Sequence, residues 1–144
     1  MEVSELMNRY VDFIEADALI SEAATLMGEL DVGALPVGTA ENLVGIVTDR
    51  DILYRAVARG LDCSKVRVQD VLSSPAITCS EEDDLQTVMD LMATHHVRRL
   101  PVRSPDGPIS GWITLADLSR KLLIESSALQ NSLRDLTETP VRAS

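Results

Sequence analysis

The 144-residue sequence predicts an α/β fold of two β-α-β-β-α repeats, related by a pseudo-twofold axis and packed as one pair. Three observations predict it. Val3 to Val37 lies on Val68 to Val102 at a constant offset of 65, with Val3/Val68, Leu26/Leu91, Met27/Met92, Val32/Val97, Leu35/Leu100, Pro36/Pro101 and Val37/Val102 identical. After a one-residue insertion the match resumes at an offset of 66, where Gly45 to Asp51 meets Gly111 to Asp117. Each copy has only about 60 residues, a size at which a lone core is marginal, so the two are expected to share one. Three or more copies would suggest a solenoid, whereas two suggest a closed pair. Any group present in both copies then appears twice, facing a shared cleft.

The elements follow in order. Val3 to Met7 and Val68 to Leu72 read as short helical turns leading into each unit. Val11 to Ile14 and Ala76 to Cys79 read as short strands, the second following Pro75. Ile20, Ala23, Ala24, Met27 and Leu30 recur at helical spacing, as do Leu85, Val88, Met89 and Met92. Glu81 to Asp84 crowd the start of the second helix, where the dipole favours acids. Ala34 to Val37 and Arg99 to Val102 are predicted strands, followed by turn-rich loops at 38–42 and 104–108. Apolar strands at 43–47 and 109–113 close two hairpins, and a last helix starts near Asp49 and Leu115, the first stopping at Gly60. The repeats therefore span 1–60 and 68–124, with a polar linker at 61–67. A tail at 125–144 carries Leu129, Leu133 and Leu136 on a possible helical face that Pro140 ends.

Charge narrows the function. Twenty-three acids against 13 bases give a net charge of −10, which argues against a nucleic-acid surface that works by neutralising phosphates. A local basic cluster can still hold one small anion. Cys63 and Cys79 sit far apart in dissimilar contexts, so no disulfide framework is indicated. No leader sequence is visible, and no apolar run approaches the roughly 18 residues of a membrane span. The expectation is a cytoplasmic protein without membrane or nucleic-acid partners.

The chemically suggestive feature is a glycine, two apolar residues, a threonine, two variable residues and an aspartate, at Gly45 to Asp51 and again at Gly111 to Asp117. Thr48 and Thr114 sit where strand becomes helix, with Asp51 and Asp117 three residues on. Thr-x-x-Asp has the form of a capping box, which satisfies open backbone donors at a helix start. The same helix start, with free N–H groups and a favourable dipole, suits a phosphate. The threonine hydroxyl can donate to it, and the nearby carboxylate can accept from a ribose diol. The two readings are compatible.

In order and in duplicate, Gly33-Ala34-Leu35-Pro36-Val37, Arg98-Arg99-Leu100-Pro101-Val102 and the two heptapeptides resemble a tandem pair of cystathionine-β-synthase (CBS) domains, a Bateman module. The resemblance covers about Val3 to Leu123. It implies a regulatory sensor, not an enzyme, with two clefts between the repeats that bind adenosine derivatives: AMP, ADP, ATP or S-adenosylmethionine. By resemblance, Asp51 and Asp117 bind ribose hydroxyls, and Thr48 and Thr114 face ribose or phosphate. Ile46 and Trp112 line the base pocket. Val32 and Gly33, with Val97, Arg98 and Arg99, line the clefts, and backbone near Tyr10 to Asp12 or Pro75 to Ile77 reads the base edge. Arg98 and Arg99 match Gly33 and Ala34, so the Asp117 site is expected to be the more positive, with Arg50 partly compensating beside Asp51. Consecutive strand residues point to opposite faces, so only one of the two arginines is expected in a given cleft. Resemblance also implies a homodimer, with the tail clasping the second chain, and a regulated protein partner.

Two other readings stand beside this one: a ligand-free structural interaction module, and a redox- or metal-responsive stress protein using Cys63, Cys79, His95 and His96. The paired ligand spacings of zinc sites are absent, as are a nucleophile elbow and a Walker loop. Core packing accounts for the methionines and for Cys79.

Overall fold

A computed structural model describes residues 1–137, in which two α/β units follow the repeat. The first holds helix α1 (Ile20–Leu30), strands β1 (Ala34–Gly38) and β2 (Leu43–Thr48), and helix α2 (Asp49–Ile52), which widens into a π-helical turn at Leu53–Val57. The second holds β3 (Cys79–Ser80), α3 (Leu85–His95), β4 (Arg99–Arg103), β5 (Ile109–Thr114) and α4 (Leu115–Thr137). Short 3-10 turns stand at Val3–Glu5 and Val68–Asp70. Both hairpins are antiparallel, with Pro36 opposite Ile46 and Pro101 opposite Trp112.

The expected first strands are cut short. Val11 to Ile14 is reduced to one parallel bridge between Ile14 and Val37, and the second strand is confined to Cys79–Ser80 beside Val102 and Arg103. Proline explains both. Trp112 gives its backbone groups to Asn8, so Pro101 opposite it turns its nitrogen toward β3, where it has no N–H to offer. Pro36 repeats this beside Ile14, receiving a bond from Ile14 N–H at 3.0 Å but returning none.

Helix α1 buries Ile20, Ala23 and Met27 and leaves Ala24 and Leu30 outside the core. Helix α3 buries Val88 and Met92 and starts at Asp84, whose Oδ1 accepts from Thr87 N–H at 2.8 Å. That bond, with a second from the Thr87 hydroxyl, holds the Asp84 carboxyl below its usual range. Helix α4 runs unbroken to Thr137, so Leu129, Leu133 and Leu136 continue the last helix of the second repeat. The expected stop at Pro140 lies outside the described residues.

The expected single core is instead two clusters, joined by exchange. Ile14, Ile20, Leu35, Val37 and Val47 pack with Val68 and Val71 from the opening turn of the second repeat. Val88, Leu100, Val102, Ile113 and Leu118 pack with Val3 and Met7 from the opening turn of the first. Each unit hides its sheet under a turn from the other copy, so neither needs one continuous core to overcome its small size.

The exchanged segments also extend the sheets. Ser73 pairs with Ile46, and Asn8 pairs with Trp112, through reciprocal backbone bonds of 2.8–3.0 Å. This close approach explains the motif glycines. A Cβ on Gly45 would meet Ser73 O at 2.4 Å, and one on Gly111 would meet Met7 Sδ at 2.6 Å.

Candidate functional site

The exchange creates a cleft of about 760 Å³ where the units meet. One wall is the end of β2 and the start of α2: Ile46, Thr48, Asp49, Arg50 and Asp51. Facing it are Val97, Arg98, Arg99 and Leu100, where α3 turns into β4. Pro75, Ala76 and Ile77 lead out of the exchanged strand, and Trp112 adds an aromatic surface. The volume falls within the range of about 300–1,000 Å³ usual for small-molecule sites.

Thr48 and Asp51 form a reciprocal cap. Thr48 Oγ1 accepts from Asp51 N–H at 3.1 Å, and Asp51 Oδ2 accepts from Thr48 N–H at 3.0 Å. Asp51 is buried, only 7% exposed. Ser73 Oγ donates to it at 3.2 Å, and Arg55 Nε lies 3.8 Å from Oδ1. Arg55 also donates to the carbonyls of Val71 and Leu72, both at 3.0 Å, tying α2 to the exchanged turn. A carboxylate has about four acceptor positions, so Asp51 keeps capacity for a further donor.

The helix start itself does not supply free donors. Asp49 N–H donates to Gly33 O at 2.9 Å, Arg50 N–H to Asp49 Oδ1 at 2.8 Å, and Asp51 N–H to Thr48 Oγ1. The expectation of open N–H groups for a phosphate is therefore corrected. These donors are spent locally.

The charge expectation is also reversed. Arg98 and Arg99 line the cleft of Asp51, which Arg50 lines too, and Asp117 does not line it. Both arginines take part, because β4 begins only at Arg99 and Arg98 belongs to the preceding turn, outside strand alternation. Gly33, Val97, Ile46 and Trp112 come together here as expected residues. Val32 packs against the first core instead, and Tyr10 to Asp12 stay away from the cleft.

Thr114 and Asp117 keep the cap but not the surroundings. Thr114 N–H donates to Asp117 Oδ2 at 3.2 Å, Thr114 Oγ1 accepts from Asp117 N–H at 3.1 Å, and Arg120 closes on Oδ1. The residue matching Ser73 is Asn8, whose Oδ1 turns to Tyr10 N–H at 2.9 Å.

Two cleft features escaped the sequence reading. Ser73 is marked only by its polar match, Asn8. His96 caps α3 in the left-handed conformation (φ 54°) and lines the cleft, and its counterpart Asp31 has the same turn (φ 55°). Among the described residues, no three His, Cys, Asp or Glu side chains converge to hold a metal ion, and no helix is long and apolar enough to cross a membrane. Burial, helped by Asp83, pushes the Cys79 thiol up to about 12, which keeps it protonated at neutral pH.

The chain is similar to known proteins in sequence and fold. The CBS domain-containing protein YhcV of Bacillus subtilis is 34% identical over 126 residues, covering 88% of this chain and 89% of that protein. The crystal structure of Hypoxic Response Protein I, which has two coordinated zinc ions, superposes with a TM-score of 0.75 at 31% identity, covering 83% of this chain and 98% of that one. The residues described above do not fit such a metal. The CBS domain pair of protein MJ0100, solved with 5′-methylthioadenosine and S-adenosylmethionine, shares the fold at 23% identity and a TM-score of 0.75, covering 87% of this chain and 98% of that one. The CBS domain model matches residues 3–58 and 68–124, the two copies of the repeat, and with these relatives it establishes that the chain belongs to the CBS domain family.

Proposed function

We propose that the chain is a cytoplasmic, non-catalytic regulatory module whose cleft binds an adenosine-containing ligand: AMP, ADP, ATP or S-adenosylmethionine. The observation that carries this is the meeting in one cleft of Thr48 and Asp51 from one repeat with Val97 to Leu100 from the other. A ligand there touches both units, so its binding energy biases how they pack. Asp51 accepts from the ribose, Ile46, Ile77 and Trp112 offer apolar surface to the base, and the arginines meet phosphate. The fold-level likeness to the pair holding two adenosine derivatives supports the same use.

The reported signal passes to a second copy and to a regulated protein. Leu115, Leu122, Leu129 and Leu136 recur every seven residues on α4, each at least 41% exposed, with Leu133 beside them. A stripe at this spacing is self-complementary, which favours a second copy of the same helix as its cover. A thermal-shift panel with AMP, ADP, ATP, S-adenosylmethionine and NADH tests the ligand reading. At 100 times its dissociation constant a ligand adds about 2.7 kcal/mol of stability. If no adenosine compound raises the melting temperature, the chain is a ligand-free interaction module instead.

A further inference from the structure

We propose that the cleft selects an adenosine ligand carrying two or more phosphates, and that it is the single site filled in each chain. The proposal rests on the adenosine reading and narrows it. Arg50, Arg98 and Arg99 line the cleft, and none of the three guanidinium groups has a hydrogen bond or ion pair among the described residues. This is unlike their neighbours. Arg9 meets Glu81, Arg55 meets Asp51, Arg120 meets Asp117, and Arg67 and Arg103 donate to backbone carbonyls. In a chain with ten more acids than bases, three unpaired cations gather on one concavity.

Guanidinium groups bind phosphate oxygens in fixed, often bidentate geometry. The spent donors at the start of α2 leave these side chains as the cleft's means of holding phosphate. Three guanidinium charges are matched more fully by a di- or triphosphate than by a monophosphate, which carries less negative charge. S-adenosylmethionine brings a sulfonium and an ammonium against one carboxylate, a net positive charge that three arginines disfavour. The matching positions in the other half carry no such group. Gly33, Ala34 and Ala116 stand where Arg98, Arg99 and Arg50 do, Asp31 stands for His96, and the Asp117 carboxylate is already closed by Arg120.

Calorimetric titration in magnesium-free buffer tests this with ATP, ADP, AMP, adenosine, S-adenosylmethionine, GTP and inorganic tripolyphosphate. The expected order is ATP tightest, then ADP, then AMP, with one ATP per chain. In the paired variant Arg98→Gln/Arg99→Gln, ATP should weaken by about 100-fold, at about tenfold per charge-assisted contact, while adenosine changes less than about twofold. Melts of the variant confirm folding, and Arg50→Gln provides a second, single change. Equal affinity for AMP or S-adenosylmethionine and ATP, two ATP per chain, or ATP binding indifferent to the arginines would overturn the proposal and leave the adenosine site standing. Tripolyphosphate and GTP binding as tightly as ATP would remove the adenosine reading and keep the polyphosphate site. No binding by any compound overturns both.

Discussion

Val3→Ala should damage the half of the protein that Val3 does not belong to in sequence. Val3 is fully buried among Val88, Leu100 and Ile113 of the second unit, although it opens the first repeat. The change removes two methyl groups, at about 0.8 kcal/mol for each buried carbon, and adds a cavity term, for about 2–3 kcal/mol in total. Against a total stability of about 5–15 kcal/mol this is a large loss. For a chain of this length it corresponds to a fall of about 6–10 °C in Tm. Native-state hydrogen exchange gives the location. Protection should fall more over 85–114 than over 20–48. Val68→Ala, also fully buried, should show the mirror image, with loss over 20–48. If Val3→Ala loosens 20–48 and spares 85–114, the exchanged packing is wrong.

Asp51→Asn should weaken ATP by about tenfold or more, through loss of a charge-assisted acceptor, while Asp117→Asn leaves ATP binding unchanged; titration of the two variants decides. Gly45→Ala forces a methyl against Ser73 O, so denaturant melts should show a loss of more than about 2 kcal/mol, and wild-type stability would contradict the crossing geometry. Leu129→Arg with Leu133→Asp should convert a dimer to a monomer at micromolar concentration, read by sedimentation. A wild type that sediments as a monomer would reject the dimer. The folded Cys79 thiol is pushed up to a pKa of about 12, above the unfolded thiol value. Its contribution to stability is complete below the unfolded thiol pKa and is lost as pH rises toward 12. Alkaline melts should fall less steeply for Cys79→Ala than for wild type.

The hairpins and long helices were legible because their signals are local. Leu-Pro-Val after a turn marks each strand within a residue, and helical spacing marks Ile20, Ala23 and Met27. The truncated first strands were not legible, because the missing proline N–H acts on a neighbour far along the chain. The exchange of opening turns left no trace in the repeat either. Matching Val3 with Val68 shows that the turns are alike and says nothing about which unit each one covers. The same ambiguity misplaced the arginines. Copy against copy, Arg98 belongs with Asp117, but in space it faces Asp51. The cap at Thr48 was read correctly, and its consequence was not, because Gly33 O and Asp49 Oδ1 absorb the donors a phosphate would need.

The exchanged turns also separate the order of synthesis from the order of assembly. Once residue 72 has left the ribosome, the first unit has every side chain its core requires. The second unit cannot close until Leu118 has emerged, and it then needs Val3 and Met7, which were made first. The opening turn must therefore wait through most of translation with its apolar side chains unsheltered, beside an already folded neighbour. A released fragment ending at Thr78 should be cut by trypsin at Arg9 while the first unit resists. Protection of Arg9 at that stage would show that the turn finds temporary shelter elsewhere.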